Sequence, residues 1–322
     1  MLVTGAGGFI ASHLVEALAN QGAHVKAFVR YNSRNDPANL VFLSDEAKKS
    51  VEIIGGDLRD PQALLLASKG TSLIYHLGAL ISIPYSYLHP FEVIETNVIG
   101  TTNVLLAAKE NEVERVIHTS TSEVYGTALQ VPINELHPLQ GQSPYSASKI
   151  GADKIADSFH LSYDLPIVTV RPFNTYGPRQ STRAVISAII TQALTKDNVR
   201  LGNLNATRDF TYVSDTVAGF LAAGEKKGIE GQTFNLGFGN EIRIGDLAEL
   251  IIELVGRPVK IESDPERLRP ENSEVQRLLS DNSKAKIHLG WQPRISLKQG
   301  LSDTIDWVDK NIHLFNPGKY EI

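Results

Sequence analysis

The chain contains no cysteine. Disulfides, thiolate nucleophiles and cysteine–zinc sites are therefore excluded, and a reducing compartment fits. No stretch approaches the roughly twenty apolar residues of a membrane span. A charged-then-apolar leader before a cleavage site is also missing. So are internal repeats and low-complexity tracts. Neither sign of charge dominates: 31 Lys and Arg stand against 36 Asp and Glu, a net charge of −5. That balance gives no whole-chain attraction to nucleic acid or to an anionic membrane. The simplest expectation is a cytoplasmic protein without nucleic-acid or membrane partners. What is present is ordinary for a soluble globular chain, with 42% hydrophobic and 21% charged residues over 322 positions. That length suffices for a large core, in two lobes or in one α/β domain with an appendage.

Met1 to Thr4 is the stub of an apolar strand that runs into Gly5-Ala6-Gly7-Gly8-Phe9-Ile10-Ala11. A helical pattern follows, with Ile10, Leu14, Val15 and Leu18 on one stripe. Strand, glycine turn and helix together give weight to the G-x-x-G-x-x-A spacing at Gly5, Gly8 and Ala11. Small residues let a backbone approach a pyrophosphate, and the helix start offers free N–H groups and a positive dipole end. The alternative is a plain tight turn. The next strand, His24 to Val29, ends where dinucleotide specificity is read. An acid there suits the ribose of NAD, and an arginine suits a 2′-phosphate. Arg30 stands there, with no acid before Asp36. It tilts the choice towards NADP, unless it is only a solvated loop residue.

A third strand (residues 51–54) runs into Gly55-Gly56-Asp57-Leu58. Asp57 can accept from an adenine amino group, or cap the helix beginning near Pro61. The fourth strand, Leu73 to Leu77, leads into Gly78-Ala79-Leu80, small residues suited to a cofactor passing close by. The loop over residues 81–87, with Tyr85, is uncharged and rich in hydroxyls. It suits a sugar or acetamido group, or is an ordinary turn. A helix over residues 96–110, a strand over 113–119, a helix over 145–163 and a strand over 166–171 complete an alternating pattern. Such alternation predicts a doubly wound parallel sheet. His76 and His118 lie inside apolar strands without a ligand-spaced partner and read as core residues, and no metal site is expected.

Two segments carry chemistry: Thr119-Ser120-Thr121-Ser122-Glu123-Val124-Tyr125-Gly126 and Tyr145-Ser146-Ala147-Ser148-Lys149. Tyr145 and Lys149 are four apart and share a helix face. An ammonium beside a phenol would favour the phenolate, as a base acting on an alcohol requires. A lone Tyr–Lys pair is also a common surface contact, so the neighbouring dinucleotide motif matters. Beyond the sixth strand, Arg171-Pro172-Phe173-Asn174-Thr175-Tyr176-Gly177-Pro178-Arg179 marks the crossing into a second lobe. Helices are predicted over residues 184–194, 216–223 and 244–255. Arg179, Arg183, Arg208, Arg267 and Arg269 fall in this half, where a second pyrophosphate would need them, although scattered surface arginines are common.

These motifs, with Gly56-Asp57-Leu58, Arg208-Asp209-Phe210 and Arg269-Pro270, resemble the extended short-chain dehydrogenase/reductase family over nearly the whole chain. Its nucleotide-sugar dehydratases and their relatives are the most similar group. The resemblance implies a Rossmann-like domain over residues 1–171, with a return segment near 209–240. A smaller, discontinuous substrate-binding lobe would take 172–208 and 241–322. It implies a tightly retained NADP or NAD held by Gly5, Gly8, Phe9, Ile10, Arg30, Asp57, Leu58, Leu77, Ala79, Ser120, Tyr145 and Lys149. A nucleotide-diphosphate sugar would meet Tyr85, Asn174, Arg179, Arg183, Arg208 and Arg269. Thr121, Ser122, Glu123, Tyr145 and Lys149 would be catalytic. A homodimer formed through the helices near 96–110 and 145–163 is the usual family assembly.

Glu123 is the discriminating position. A 4-epimerase only oxidises, rotates and reduces, whereas a 4,6-dehydratase needs a base for the C5 proton. Thr121-Ser122-Glu123 is similar to GDP-mannose dehydratases and to legionaminate-type dehydratases of nucleotide-activated N-acetylglucosamine, the latter also in Ile83-Pro84-Tyr85-Ser86-Tyr87 and Ser273-Glu274-Val275. UDP-glucuronate decarboxylases share Thr-Ser-Glu and an arginine at the Arg183 position. Decarboxylation therefore stays an alternative, beside 4-epimerisation and a catalytically silent dinucleotide-binding module.

Overall fold

The computed structural model describes residues 1–316. Six strands, β1 (Leu2–Thr4), β2 (Val25–Arg30), β3 (Val51–Gly56), β4 (Leu73–His76), β5 (Arg115–Thr119) and β6 (Ile167–Pro172), alternate with helices. Six more follow: β7 (Asn174–Tyr176), β8 (Asn198–Leu201), β9 (Thr207–Tyr212), β10 (Thr233–Leu236), β11 (Glu241–Arg243) and β12 (Lys260–Ser263). The main sheet runs β10-β6-β5-β4-β1-β2-β3 with every pairing parallel. The chain therefore has the Rossmann-like, doubly wound α/β fold that its sequence alternation predicts.

Both faces of a parallel sheet are covered, so its inner strands are apolar throughout rather than alternating. All of β1, β4 and β6 is buried, down to Leu2, Ile74 and Val168. One face packs against Leu14, Val15 and Leu18 of helix Phe9–Asn20 and Phe220 of helix Val213–Glu225. The other face meets Val104 and Leu105 of helix Gly100–Glu110 and Ala156 and Phe159 of helix Pro144–Tyr163. Truncating any of the fully buried leucines to Ala would cost about 2–5 kcal/mol.

A second core forms from Ile186, Ile189, Leu247, Ile251 and Leu301. It packs beside a three-stranded sheet, β11-β9-β7, and the parallel pair β12-β8. Chain order in the main sheet reverses between β1 and β4. In open α/β sheets a ligand crevice opens at the carboxyl ends of the strands around such a point.

Three local readings change. Residues 83–88, expected as loop, form a short helix whose cap is Ser82, its side chain accepting from the Tyr85 N–H at 3.3 Å. The helix expected from Thr96 is preceded by helix Pro90–Ile94 and passes through a π-helical stretch, Glu95–Ile99. Asp60 rather than Asp57 caps helix Pro61–Ser68, accepting from the Gln62 and Ala63 N–H groups at 2.9 and 3.3 Å. The cap belongs immediately before the Pro at N1, and that residue is Asp60.

Candidate active site

The start of helix Pro144–Tyr163 is fixed by a capping box: Ser143 Oγ accepts from the Ser146 N–H at 3.1 Å, and Ser146 Oγ accepts from the Ser143 N–H at 2.9 Å. With Pro144 in the first turn, the register of Tyr145, Lys149 and Asp153 along one face is set. Opposite them, β5 ends at Thr119, and a single 3₁₀ turn, Ser122–Tyr125, follows. Thr121 caps that turn, its hydroxyl accepting from the Glu123 N–H at 3.2 Å.

Beneath the turn, the buried Asp153 carboxylate accepts from His118 Nε2 at 2.9 Å, Ser120 Oγ at 2.8 Å and Arg171 Nη2 at 2.9 Å. Arg171 also donates to the Tyr125 hydroxyl at 2.9 Å, and that hydroxyl donates to Asn235 Oδ1 at 2.7 Å. One network thus stitches β5, β6 and β10 under the reactive groups. Burial alone would raise the Asp153 carboxyl, but His118, Arg171 and Lys149 outweigh it and hold it at about 2. Burial keeps His118 low and neutral, so its Nε2–H is the donor.

A second buried chain supports the glycine turn. The Gly78 N–H donates to Thr4 Oγ1 at 3.2 Å, and that hydroxyl lies 2.7 Å from His76 Nδ1. His76 Nε2 lies 2.9 Å from Thr101 Oγ1, which itself donates to the Asn97 carbonyl at 2.6 Å. Only the tautomer with hydrogen on Nε2 satisfies every member. Asn97, in the π-helical stretch, clamps Leu80 N–H and C=O at 2.8 and 2.9 Å and donates to Ser148 Oγ at 2.9 Å.

Tyr145 differs from the sequence expectation. Burial pushes its phenol well above the usual range, and the Glu123 and Asp153 charges push the same way, while a hydrogen bond with Thr121 opposes them. Lys149 does not reach for the phenol: its Nζ donates to the Thr119 carbonyl at 2.6 Å. Burial lowers Lys149 to about 8, against the pull of Asp153. The expected lowering of the phenol by the ammonium is therefore overturned by desolvation.

A cavity of ≈ 570 Å³ connects the two halves of the site. Gly5, Gly8, Phe9, Ile10, Leu77, Ala79, Ser120, Thr121, Ser122, Glu123 and Tyr145 line one end, and Asn174, Arg183, Arg208 and Arg269 line the other. Lys149 lies just beneath, and Leu58 packs under Gly78, where an added Cβ would meet Leu58 Cδ1 at 2.8 Å.

Four expected residues are not among those that line this cavity. Arg30, exposed at the end of β2, is 3.5 Å from Glu92. The Tyr85 hydroxyl donates to the same Glu92 and does not line the cavity. Asp57 pairs with Arg59 at 2.7 Å, and that hydrogen bond holds its carboxyl at about 2. Arg179 is turned away altogether: it pairs with Glu16 at 2.6 Å and donates to the Phe42 carbonyl at 3.2 Å. The long-range partner Glu16, on helix Phe9–Asn20, captures a guanidinium that the sequence pattern grouped with the pocket arginines. Sequence reading missed Asp153 and Asn97. The first was findable, four residues beyond Lys149 on the same face.

The glycine turn fits a dinucleotide. Helix Phe9–Asn20 has no side-chain cap at Gly8 and no acid in its first turn, which leaves its N–H groups and positive end for an anion. Gly5 has φ +66°, and a Cβ there would stand 2.6 Å from Gly78 Cα, so no side chain is compatible with this close approach. At the far end Arg208 is buried and donates to the Thr207 carbonyl at 2.9 Å and to Glu274 at 3.3 Å. Asn174 Nδ2 and Arg269 Nη1 are buried without a hydrogen-bond partner among the described residues. Unmet donors of this kind are costly unless water or a ligand satisfies them.

The family model described as GDP-mannose 4,6 dehydratase matches residues 2–304. A dTDP-D-glucose 4,6-dehydratase of Homo sapiens is 33% identical, over 97% of this chain and 91% of its own length. A UDP-glucose 4-epimerase of Mycolicibacterium smegmatis is 35% identical, over 95% of this chain and 97% of its own. Among solved structures, DesIV, a dTDP-glucose 4,6-dehydratase of Streptomyces venezuelae solved with NAD bound, superposes with a TM-score of 0.88 at 29% identity, covering 99% of both chains. The fold agrees with these matches, and the chain belongs to the extended short-chain dehydrogenase/reductase family, in the group described by the GDP-mannose 4,6 dehydratase model.

Proposed function

We propose that this protein is a nucleotide-sugar 4,6-dehydratase that makes a 4-keto-6-deoxy sugar nucleotide, with an NDP-N-acetylglucosamine as substrate. The observation that carries this reading is Glu123, a carboxylate lining the same cavity as Thr121 and Tyr145, close enough to push up the phenol. Gly5, Gly8, Phe9, Ile10, Leu77, Ala79 and Ser120 would hold the dinucleotide. Bound there, a nicotinamide supplies a hydride acceptor for C4 and a donor for C6. Arg30 is the residue that would meet a 2′-phosphate; its existing pairing with Glu92 weakens the pull towards NADP, and the related DesIV structure contains NAD.

Tyr145 takes the proton of the C4 hydroxyl, and Lys149, its Nζ held by the Thr119 carbonyl at 2.6 Å, lies beneath it. Thr121 steadies the C4 oxygen by hydrogen bonding. Glu123 removes the C5 proton, made acidic by the neighbouring ketone, as the C6 hydroxyl departs as water. The proton for that departure is available from Glu123 itself or from Ser122, both in the cavity wall. Arg208 and Arg269 grip the diphosphate, and Asn174 contacts the substrate near it. The uncharged wall of Ile81, Ile83 and Pro84 suits an acetamido group. A homodimer is supported by the exposed Ile99, Leu106, Leu161 and Tyr163 on the two expected helices.

The test is a panel of UDP-, GDP- and dTDP-sugars incubated without added cofactor, with products weighed. Loss of water supports the proposal, and Glu123→Gln should reduce that loss by at least about a hundredfold, the scale of a general base. Wild-type rates in Glu123→Gln would sink the assignment. Arg183, exposed at the cavity wall, favours one second reading, decarboxylation of a glucuronate, which the same panel would register as loss of carbon dioxide.

A further inference from the structure

Glu274 occupies a position that the proposed chemistry does not use. Its Oε1 is 3.3 Å from Arg208 Nη2 and 3.9 Å from Arg269 Nη1, so one carboxylate faces both guanidiniums. The second distance is too long for a hydrogen bond, and Arg269 Nη1 is buried with no hydrogen-bond partner among the described residues. We propose that Glu274 is a built-in counter-anion that sets what the diphosphate end accepts, so that only a ligand with two linked phosphoryl groups displaces it and a single phosphate is turned away. The inference rests on Arg208 and Arg269 being the diphosphate grip.

Two arginines facing one carboxylate at the cavity wall repel each other, and the anion between them relieves that cost. Glu274 supplies the anion while the site lacks ligand. Its backbone is anchored, because Ser273 beside it donates to the Gln142 carbonyl at 2.5 Å and bonds the Tyr87 hydroxyl at 2.6 Å. Only the side chain must swing to release the arginines, whereas Arg208 stays tied to the Thr207 carbonyl. A lone phosphate would exchange one anion for another and gain little. A diphosphate can span both guanidiniums, use the unspent donor of Arg269 and make bidentate contacts that one carboxylate cannot. Glu274 thereby subtracts a similar amount from every anion, and only a ligand with surplus contacts overcomes it.

The experiment titrates inorganic orthophosphate and inorganic pyrophosphate into cofactor-saturated protein by calorimetry. In Glu274→Gln, orthophosphate and pyrophosphate should each bind at least about tenfold more tightly than in wild type, which brings the otherwise rejected orthophosphate into measurable binding. Glu274→Asp, which keeps the charge on a shorter stem and so tolerates the buried arginines, should fall between the two. Unchanged or weaker orthophosphate binding in both variants overturns the inference. Arg208→Gln in the wild-type background separates the two layers of argument, since it should abolish pyrophosphate binding. If it does so while the Glu274 variants behave as wild type, the counter-anion role alone is wrong. If pyrophosphate binding survives Arg208→Gln, the diphosphate grip is misplaced and the inference falls with it.

Discussion

Replacing Asp153 by Asn would remove the charge that β5, β6 and the Tyr145 helix share. The carboxylate is 1% exposed and receives His118, Ser120 and Arg171. Its depression from 3.8 to about 2 corresponds to about 2–3 kcal/mol favouring the ionised form. The variant also leaves Arg171 buried without its anion, and breaking such a pair brings the expected loss to about 3–5 kcal/mol. At roughly 2 °C per kcal/mol for a chain of this size, the thermal midpoint should fall by about 6–10 °C at pH 7. The sign with pH is fixed. A depressed carboxylate contributes its full stability above the unfolded value, near 3.8, and loses it as pH falls through the folded value, near 2. Wild type and variant should therefore converge as pH drops from about 4 towards 2. Lys149, held at about 8 by burial against Asp153, should lose its proton more readily in the variant, which moves the alkaline limb of kcat to lower pH. Thermal scans at fixed rate and a pH–rate profile check both parts. A midpoint within about 2 °C of wild type at pH 7, or an unmoved alkaline limb, would refute the reasoning.

Gly5→Ala should weaken dinucleotide binding at least tenfold and cost stability, since the left-handed backbone alone costs about 1–2 kcal/mol and the new Cβ would lie 2.6 Å from Gly78 Cα. A dinucleotide titration that matches wild type would show that the close approach is dispensable. Arg179→Gln should destabilise by about 2 kcal/mol or more, because Glu16 loses its largely buried partner. The KM for the sugar nucleotide should stay within about twofold of wild type; a large rise in KM with unchanged stability would return Arg179 to the pocket.

The strands and the glycine turn were legible because each is written locally, in apolar runs such as Leu73–His76 and in the spacing of Gly5, Gly8 and Ala11. Tyr145 and Lys149 were legible for the same reason, as a four-residue helical interval. Their electrostatics were not, because burial depends on what packs over the helix from elsewhere in the chain. The arginines divide along the same line. Arg179 and Arg208 look alike in sequence, but the first is claimed by Glu16, 163 positions away, and the second by Glu274, 66 positions away. No local pattern sorts them. Tyr85 was placed in a loop of hydroxyls, yet its partner Glu92 lies across a helix turn that the sequence reading did not include.

Similarity over the whole chain reports the frame more than the reaction, since an epimerase and a dehydratase match almost equally well. The distinction must lie in a side chain whose presence has a physical cost that the shared first step does not repay. Glu123 is such a side chain. Its negative charge adds to burial in raising the Tyr145 phenol, and so opposes the phenolate needed to take the C4 proton. An enzyme that only oxidised and reduced C4 would work better with a neutral residue there. Keeping a carboxylate beside the phenol makes chemical sense when a second proton, the one on C5, must also be removed.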